Sequence, residues 1–289
     1  MDQIYYAHEH VTIDLSGVKN TLDCRLDEFE KTVEEFRALH DRGVRTIIDQ
    51  TARGMGRNIP YAQAVGEASG VRIFHATGFY KAPFLPEECY TRSERELADL
   101  MIEDLTVGME GTSIRANHIG EIGTGSGSIK PEEQKVFAAA CLAHHETGAA
   151  ICTHCTLGAL GLEQIAVFRQ FNVPLERVVL SHIDLSGDYD YMLALLDQGV
   201  NIAFDTVGKE NYMPDSNRAK WLADLCRAGY VNQILLSMDI TRRSQYQQNG
   251  GLGYAYLVDG FLPMAVEAGC KTEWIDWMLR QNPARIYGE

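Results

Sequence analysis

Residues 149–184 read AAICTHCTLGALGLEQIAVFRQFNVPLERVVLSHID. A short apolar run at 149–152 leads into a helical stretch near 159–171. A second apolar run, 177–180, follows. Apolar β-branched runs of this length suit strands buried on both faces, and their separation suits a crossover helix. Each run stops two residues short of a histidine, His154 in one case and His182 in the other. The segment therefore predicts a strand–helix–strand unit of a parallel sheet with an imidazole at the carboxyl end of each strand.

The same pattern extends in both directions. Strands are expected at 4–7, 44–49, 71–76, 114–120, 149–152, 177–180, 200–204 and 233–237. Helices are expected over 26–39, 58–69, 93–107, from Pro131 onward, and near 159–171, 189–198 and 216–228. Further helical segments fall around 261–280. Gly43 lies just past the end of the first of these stretches and a later one begins at Pro131, ordinary helix stop and start residues. Eight strand–helix units within 289 residues predict one α/β domain over 1–289, a closed (β/α)8 TIM barrel, rather than an open doubly wound sheet. The segment 239–260 is too long for a simple connection and is expected to form a functional loop over the barrel mouth.

Composition is that of a globular protein, with 45% hydrophobic and 23% charged residues. The net charge of −14 argues against nucleic acid or an anionic membrane as a partner and favours a bound cation. Seven scattered cysteines read as reduced thiols of a cytoplasmic enzyme. The start, MDQIYYAHEH, lacks a secretory signal, and no apolar run approaches the ~18 residues of a membrane span.

Active sites of (β/α)8 barrels form at the carboxyl ends of the strands. There the chain offers His8, His10, Glu121, His154, His182 and Asp239. Residues two apart on a strand share a face, so His8 and His10 enter the barrel together and Glu9 points outward. Imidazoles converging with carboxylates suit zinc or a similar divalent ion. Six ligands exceed the need of one tetrahedral ion, so two divalent ions are expected, sharing a carboxylate and a hydroxide. Glu121, on the strand between the two histidine groups, is the natural bridge. A hydroxide held there would attack a small-molecule substrate. Asp239 would take its proton, with Asp184 as a second station or as a support for a ligand. Arg242 and Arg243 after strand eight, and Tyr80 and Lys81 after strand three, are candidates to bind an anionic substrate. Arg53 and Arg57 are weaker ones.

Other residues read as structural. Cys152 is barrel filler, His144 and His145 belong to an outer helix, and residues 123–128 form a plain loop. His118, three residues before Glu121, is expected on the opposite face, under a helix. Tyr5, Tyr6 and the loop near 80–90 are candidates for a homodimer interface.

The motifs His8-x-His10, Gly120-Glu121-Ile122-Gly123, Thr153-His154, Ser181-His182-Ile183-Asp184 and Leu236-Ser237-Met238-Asp239 resemble the phosphotriesterase family of the amidohydrolase superfamily, with its homology-protein branch the nearest. The resemblance runs through Asn282-Pro283-Ala284-Arg285. It implies a binuclear zinc-type centre, with His8, His10 and Asp239 on one ion and His154 and His182 on the other, bridged by strand four and a hydroxide. The best-known members bridge with a carboxylated lysine, but no Lys lies in 114–123. They also relay a proton through a histidine after strand seven, where this chain has Asp205-Thr206. The implied activity is hydrolysis of an ester, lactone or phosphoester. Hydrolysis or deamination at C–N bonds, and a barrel that binds metal without catalysis, are the alternatives.

Overall fold

Eight apolar runs pair in chain order into one parallel sheet. In this computed structural model, which describes residues 3–288, they are β1 (Ile4–Glu9), β2 (Val44–Asp49), β3 (Arg72–Thr77), β4 (His118–Thr124), β5 (Ile151–Cys155), β6 (Val178–Ser181), β7 (Asn201–Phe204) and β8 (Ile234–Leu236). Amphipathic helices pack outside: α1 (Phe29–Asp41), α2 (Ile59–Ser69), α3 (Glu94–Thr106), α4 (Pro131–Thr147), α5 (Gly161–Gln170), α6 (Tyr189–Leu196), α7 (Asp215–Arg227) and α8 (Leu262–Glu267). This is the (β/α)8 barrel. No helix among the described residues is long and apolar enough to cross a membrane.

The ladder runs from β1 to β8, and the last seam is closed by other bonds. The Asp239 amide donates to the His8 carbonyl at 3.2 Å. The Glu9 carboxylate, on the outer side of β1 but fully buried, accepts from Ser237 Oγ and the Met238 amide at 2.7 Å and from the Ile240 amide at 3.1 Å. Burial pushes the Glu9 carboxyl up to about 7 even against those three donors.

Side chains alternate along each strand, so the barrel has two cores. Tyr5, Ala7, Ile48, Phe74, Ala150, Cys152, Val179, Ala203 and Leu235 fill the interior, and Ile286 and Tyr287 of the C-terminal helix Asn282–Tyr287 join them. A larger cluster lies between strands and helices. Tyr5 belongs to the inner core and Tyr6 to the outer one, 3% and 0% exposed, so both side chains are buried within the chain rather than presented at an interface. Tyr6 donates its hydroxyl proton to the Tyr254 carbonyl.

Two bulges decide what faces the mouth. Tyr6 pairs with Ile47 and Glu9 with Asp49, so three residues on β1 oppose two on β2. Simple alternation from Tyr5 and Ala7 would bring Glu9 inside; the extra residue brings His8 and His10 in instead. On β4, Ile119 pairs with Ile151 and Ile122 with Thr153, again three against two. His118 and Glu121 consequently both face inward. This corrects the placement of His118 under a helix. Its ring bonds Gln50 Oε1 at 3.0 Å and meets Tyr287 edge-on at 5.0 Å inside the barrel. Strand four also lies later than the expected 114–120. The amides of Ala116 and Asn117 go to the Asp104 and His75 carbonyls as the chain enters the ladder.

Candidate metal centre

The ends of β1, β4, β5, β6 and the turn after β8 converge. His8 Nε2 lies 3.4 Å from Glu121 Oε2 and 3.7 Å from Asp239 Oδ1. His10 Nε2 lies 3.3 Å from Asp239 Oδ1 and 3.7 Å from Glu121 Oε1. His154 Nδ1 is 3.1 Å and His182 Nε2 3.6 Å from Glu121 Oε2, with 2.9 Å between those two nitrogens. Glu121 therefore touches all four imidazoles and sits between the pairs.

The outer nitrogens fix the rings. His10 Nδ1 bonds Thr51 Oγ1 at 2.9 Å. His8 Nδ1 lies 2.9 Å from Ser181 Oγ and 3.0 Å from Asp205 Oδ2. Asp205 Oδ1 accepts from both the backbone and the Nδ1 of His182, at 2.8 and 2.9 Å. His154 Nε2 meets Thr156 Oγ1 at 3.1 Å. A protonated outer nitrogen leaves the inner one with its lone pair aimed at the centre, as metal-binding imidazoles require. The Nε2 atoms of His8 and His10 are buried and have no hydrogen-bond partner. Such orphaned acceptors are costly unless something else meets them.

The charges point the same way. Burial works to raise the carboxyls of Glu121, Asp205 and Asp239, yet adjacent imidazoles hold the first two low, and Lys209, then the imidazoles, hold Asp239 low. Burial would depress His182, but Asp205 more than reverses this and lifts it to about 10. His154 is depressed to about 4, mainly by burial. Three buried carboxylates demand positive charge at this point. Among the described residues, two groups of side chains could hold a metal ion: His8, Glu121 and His182, and His8, His10 and Asp239. The donors fit a divalent ion of the zinc type. His182 and Asp239 also take left-handed φ values of 62° and 50°, a conformation non-glycine residues adopt mainly where the surroundings enforce it.

Above the cluster opens a cavity of about 530 Å³. From residue 4 to residue 287 the chain follows the phosphotriesterase family. It belongs to that family. It is 44% identical over 281 residues to the phosphotriesterase homology protein of Escherichia coli, covering 97% of this chain and 96% of that one. The crystal structure of that relative, complexed with phosphate in its active site, superposes with a TM-score of 0.97 at 99% coverage of both chains. A lactonase from Listeria monocytogenes, 28% identical, superposes at 0.93 and covers 98% of this chain and 94% of its own. An N-acetyltaurine hydrolase of Danio rerio is 29% identical over 89% of this chain and 77% of its own.

Within this phosphotriesterase-family barrel the other candidate residues separate. Tyr80 lines the cavity and puts its hydroxyl 3.3 Å from both ring nitrogens of His154. Lys81 also lines it, as does Arg242, whose guanidinium lies 3.4 Å from Asp23. Arg243 is not brought to the cavity. It bonds the Arg25 carbonyl and the Asp27 carboxylate instead. Asp184 is not brought to the cluster: its carboxylate is bound by buried Arg218 at 2.6 Å and by Thr206. Arg53 and Arg57 serve α3, where both bind Asp104. His144 and His145 bond backbone carbonyls on the outside.

Two residues were missed. Asp205 orients His8 and His182, and its place at a strand end was the signal. Lys209, whose ammonium pairs with Asp239, lies in the loop after β7, where nothing in the sequence marks it. The 239–260 loop does line the mouth with residues 240–242, 244, 245, 251 and 252. It is moored to α1, through the Gln247 and Tyr254 amides on Glu35 and the Tyr246 hydroxyl on Thr32.

Proposed function

We propose that the chain is a binuclear metal-dependent hydrolase of a small ester, lactone or phosphoester. His8, His10 and Asp239 would hold one divalent ion, His154 and His182 the other, and Glu121 both; the nitrogen-rich set favours zinc. The observation that carries this reading is the pair of orphaned Nε2 atoms converging on Glu121 and Asp239 at the floor of an open cavity. The lactonase and the phosphate-bound relative support the substrate range.

When bound, such ions polarise a carbonyl or phosphoryl oxygen and lower the pKa of water from 15.7 to about 7. The chain's own residues do the rest. Asp239 faces the centre with Oδ1 and accepts the attacking water's proton there, while Lys209 holds its other oxygen. Asp205 keeps His8 and His182 in register from behind. Tyr80, beside His154, places a hydroxyl where substrate enters. Asp184 acts as a support through Thr206 and Arg218 rather than as a second proton station.

Protein prepared with zinc, manganese or cobalt should be assayed against phenyl acetate, γ-butyrolactone, diethyl 4-nitrophenyl phosphate and N-acetyltaurine. Turnover of one of the first three is expected, with loss on chelation and return on adding metal. Turnover of N-acetyltaurine alone would replace this reading with C–N hydrolysis, the activity in the name of the Danio rerio relative. No turnover by the fully loaded protein would favour a binding barrel.

A further inference from the structure

The cavity reverses the sign of the molecule. The chain carries a net charge of −14, yet its cavity is lined by Lys19, Lys81, Lys209 and Arg242. Among the described residues, the carboxylates in the lining are Glu121 and Asp239, both members of the metal cluster. Two of the cations are already matched, Lys209 by Asp239 and Arg242 by Asp23. The other two stand on aromatic rings. Lys81 Nζ lies 5.4 Å from the Tyr80 ring centroid and 5.7 Å from that of Phe84, and Lys19 Nζ lies 6.0 Å from the far-reaching Phe84 ring as well. Tyr80 and Phe84 pack at 5.5 Å. Among the described residues, no carboxylate lies within ion-pair distance of either ammonium.

Rings that hold an ammonium by its cation–π attraction steady it without consuming its N–H donors. Lys81 is half-buried, and burial depresses its ammonium against the opposing pull of the Glu121 and Glu133 carboxylates, with Lys19 adding to the depression. Two like charges near one ring, Lys81 half-buried and Lys19 exposed, repel each other, and an anion that meets both relieves that repulsion. Lys81 starts close to the metal cluster. A methyl group placed on Gly123 would sit 3.0 Å from His154 Cβ and 3.3 Å from Lys81 Cβ, so the glycine lets Lys81 stand directly beside a candidate ligand. Ile13, Leu15, Met55 and Leu185 complete an apolar wall.

We propose that Lys19 and Lys81, on the Tyr80–Phe84 platform, form a subsite for an oxyanion carried by the substrate away from its scissile bond. The substrate is then an ester or lactone with an apolar body and a carboxylate or phosphate-like tail. This specificity rests on the hydrolase reading above, but the subsite itself is tested without turnover.

The binding probes are 4-methoxybenzoate, 4-methoxybenzylphosphonate and neutral 4-methylanisole, titrated calorimetrically into metal-loaded protein and into K19M/K81M. Either anion should bind the native protein more tightly than the neutral probe and lose about 10- to 150-fold in the double variant. The stronger of the two anions identifies the tail. R243A should retain the preference. Anion affinity that is the same in K19M/K81M would show that the anions meet only the metal ions, and would overturn the subsite. The kinetic arm compares phenyl acetate with 4-acetoxybenzoate. The anionic-to-neutral ratio of kcat/KM should fall by a similar factor in the double variant, mostly through KM. Equal losses for both substrates would overturn the specificity claim. Anion binding that depends on the lysines, with no ester turned over, would spare the subsite and reject the hydrolase reading.

Discussion

Glu121 makes the most demanding set of contacts of any residue here, lying within 3.7 Å of four imidazoles. A carboxylate can give one charged oxygen to each of two ions, whereas an amide is a poor bridge. E121Q should therefore lose about one ion per chain while the barrel stays folded. Metal content and circular dichroism, read on the same sample, check this; unchanged content would show that Glu121 is not the bridge. The candidate ligands were legible in the sequence because strand ends and ligand-type residues coincide. Asp205 and Lys209 were not. Asp205 stands where the best-known family members carry a histidine, and its strand-end place alone does not reveal that it holds His8 and His182 from behind; Lys209 reaches Asp239 from a loop whose course only the folded chain defines.

At the scale of elements, arginines that looked available for substrate turn out to knit strand ends to helix α3. The Arg57 side chain is only 4% exposed and shares the Asp104 carboxylate with Arg53 and the Thr77 hydroxyl. Burial works to raise the Asp104 carboxyl, but the two guanidinium groups and Thr77 hold it low. Removing Asp104 leaves Arg53 without its carboxylate and buried Arg57 with Glu110 alone, and breaking a buried pair costs about 3–5 kcal/mol. D104A should be destabilised by that order in urea unfolding, and a loss below about 1 kcal/mol would contradict the role assigned to it. R53A should cost far less, because Arg53 is partly exposed. The strands and helices themselves were legible from periodicity, but the bulges in β1 and β4 were not. Both add one residue to a strand whose apolar pattern is unchanged, so His118 was assigned to the wrong face while His8 and His10 were assigned to the right one.

Across the whole molecule, the barrel's closed parallel order was visible in the eightfold alternation, since each run could be buried only between a helix and the barrel interior. How the acidic charge is distributed was not visible, because Lys19 and Lys81 are far apart in sequence and meet only over Phe84. The central claim is that six side chains from five strand ends form one site for two ions. The direct measurement is elemental analysis of the purified protein after exhaustive dialysis, following expression with zinc in the medium. The account predicts about two equivalents of metal per chain, falling toward one in H8A/H10A. A stoichiometry that never exceeds one in the native protein would contradict it.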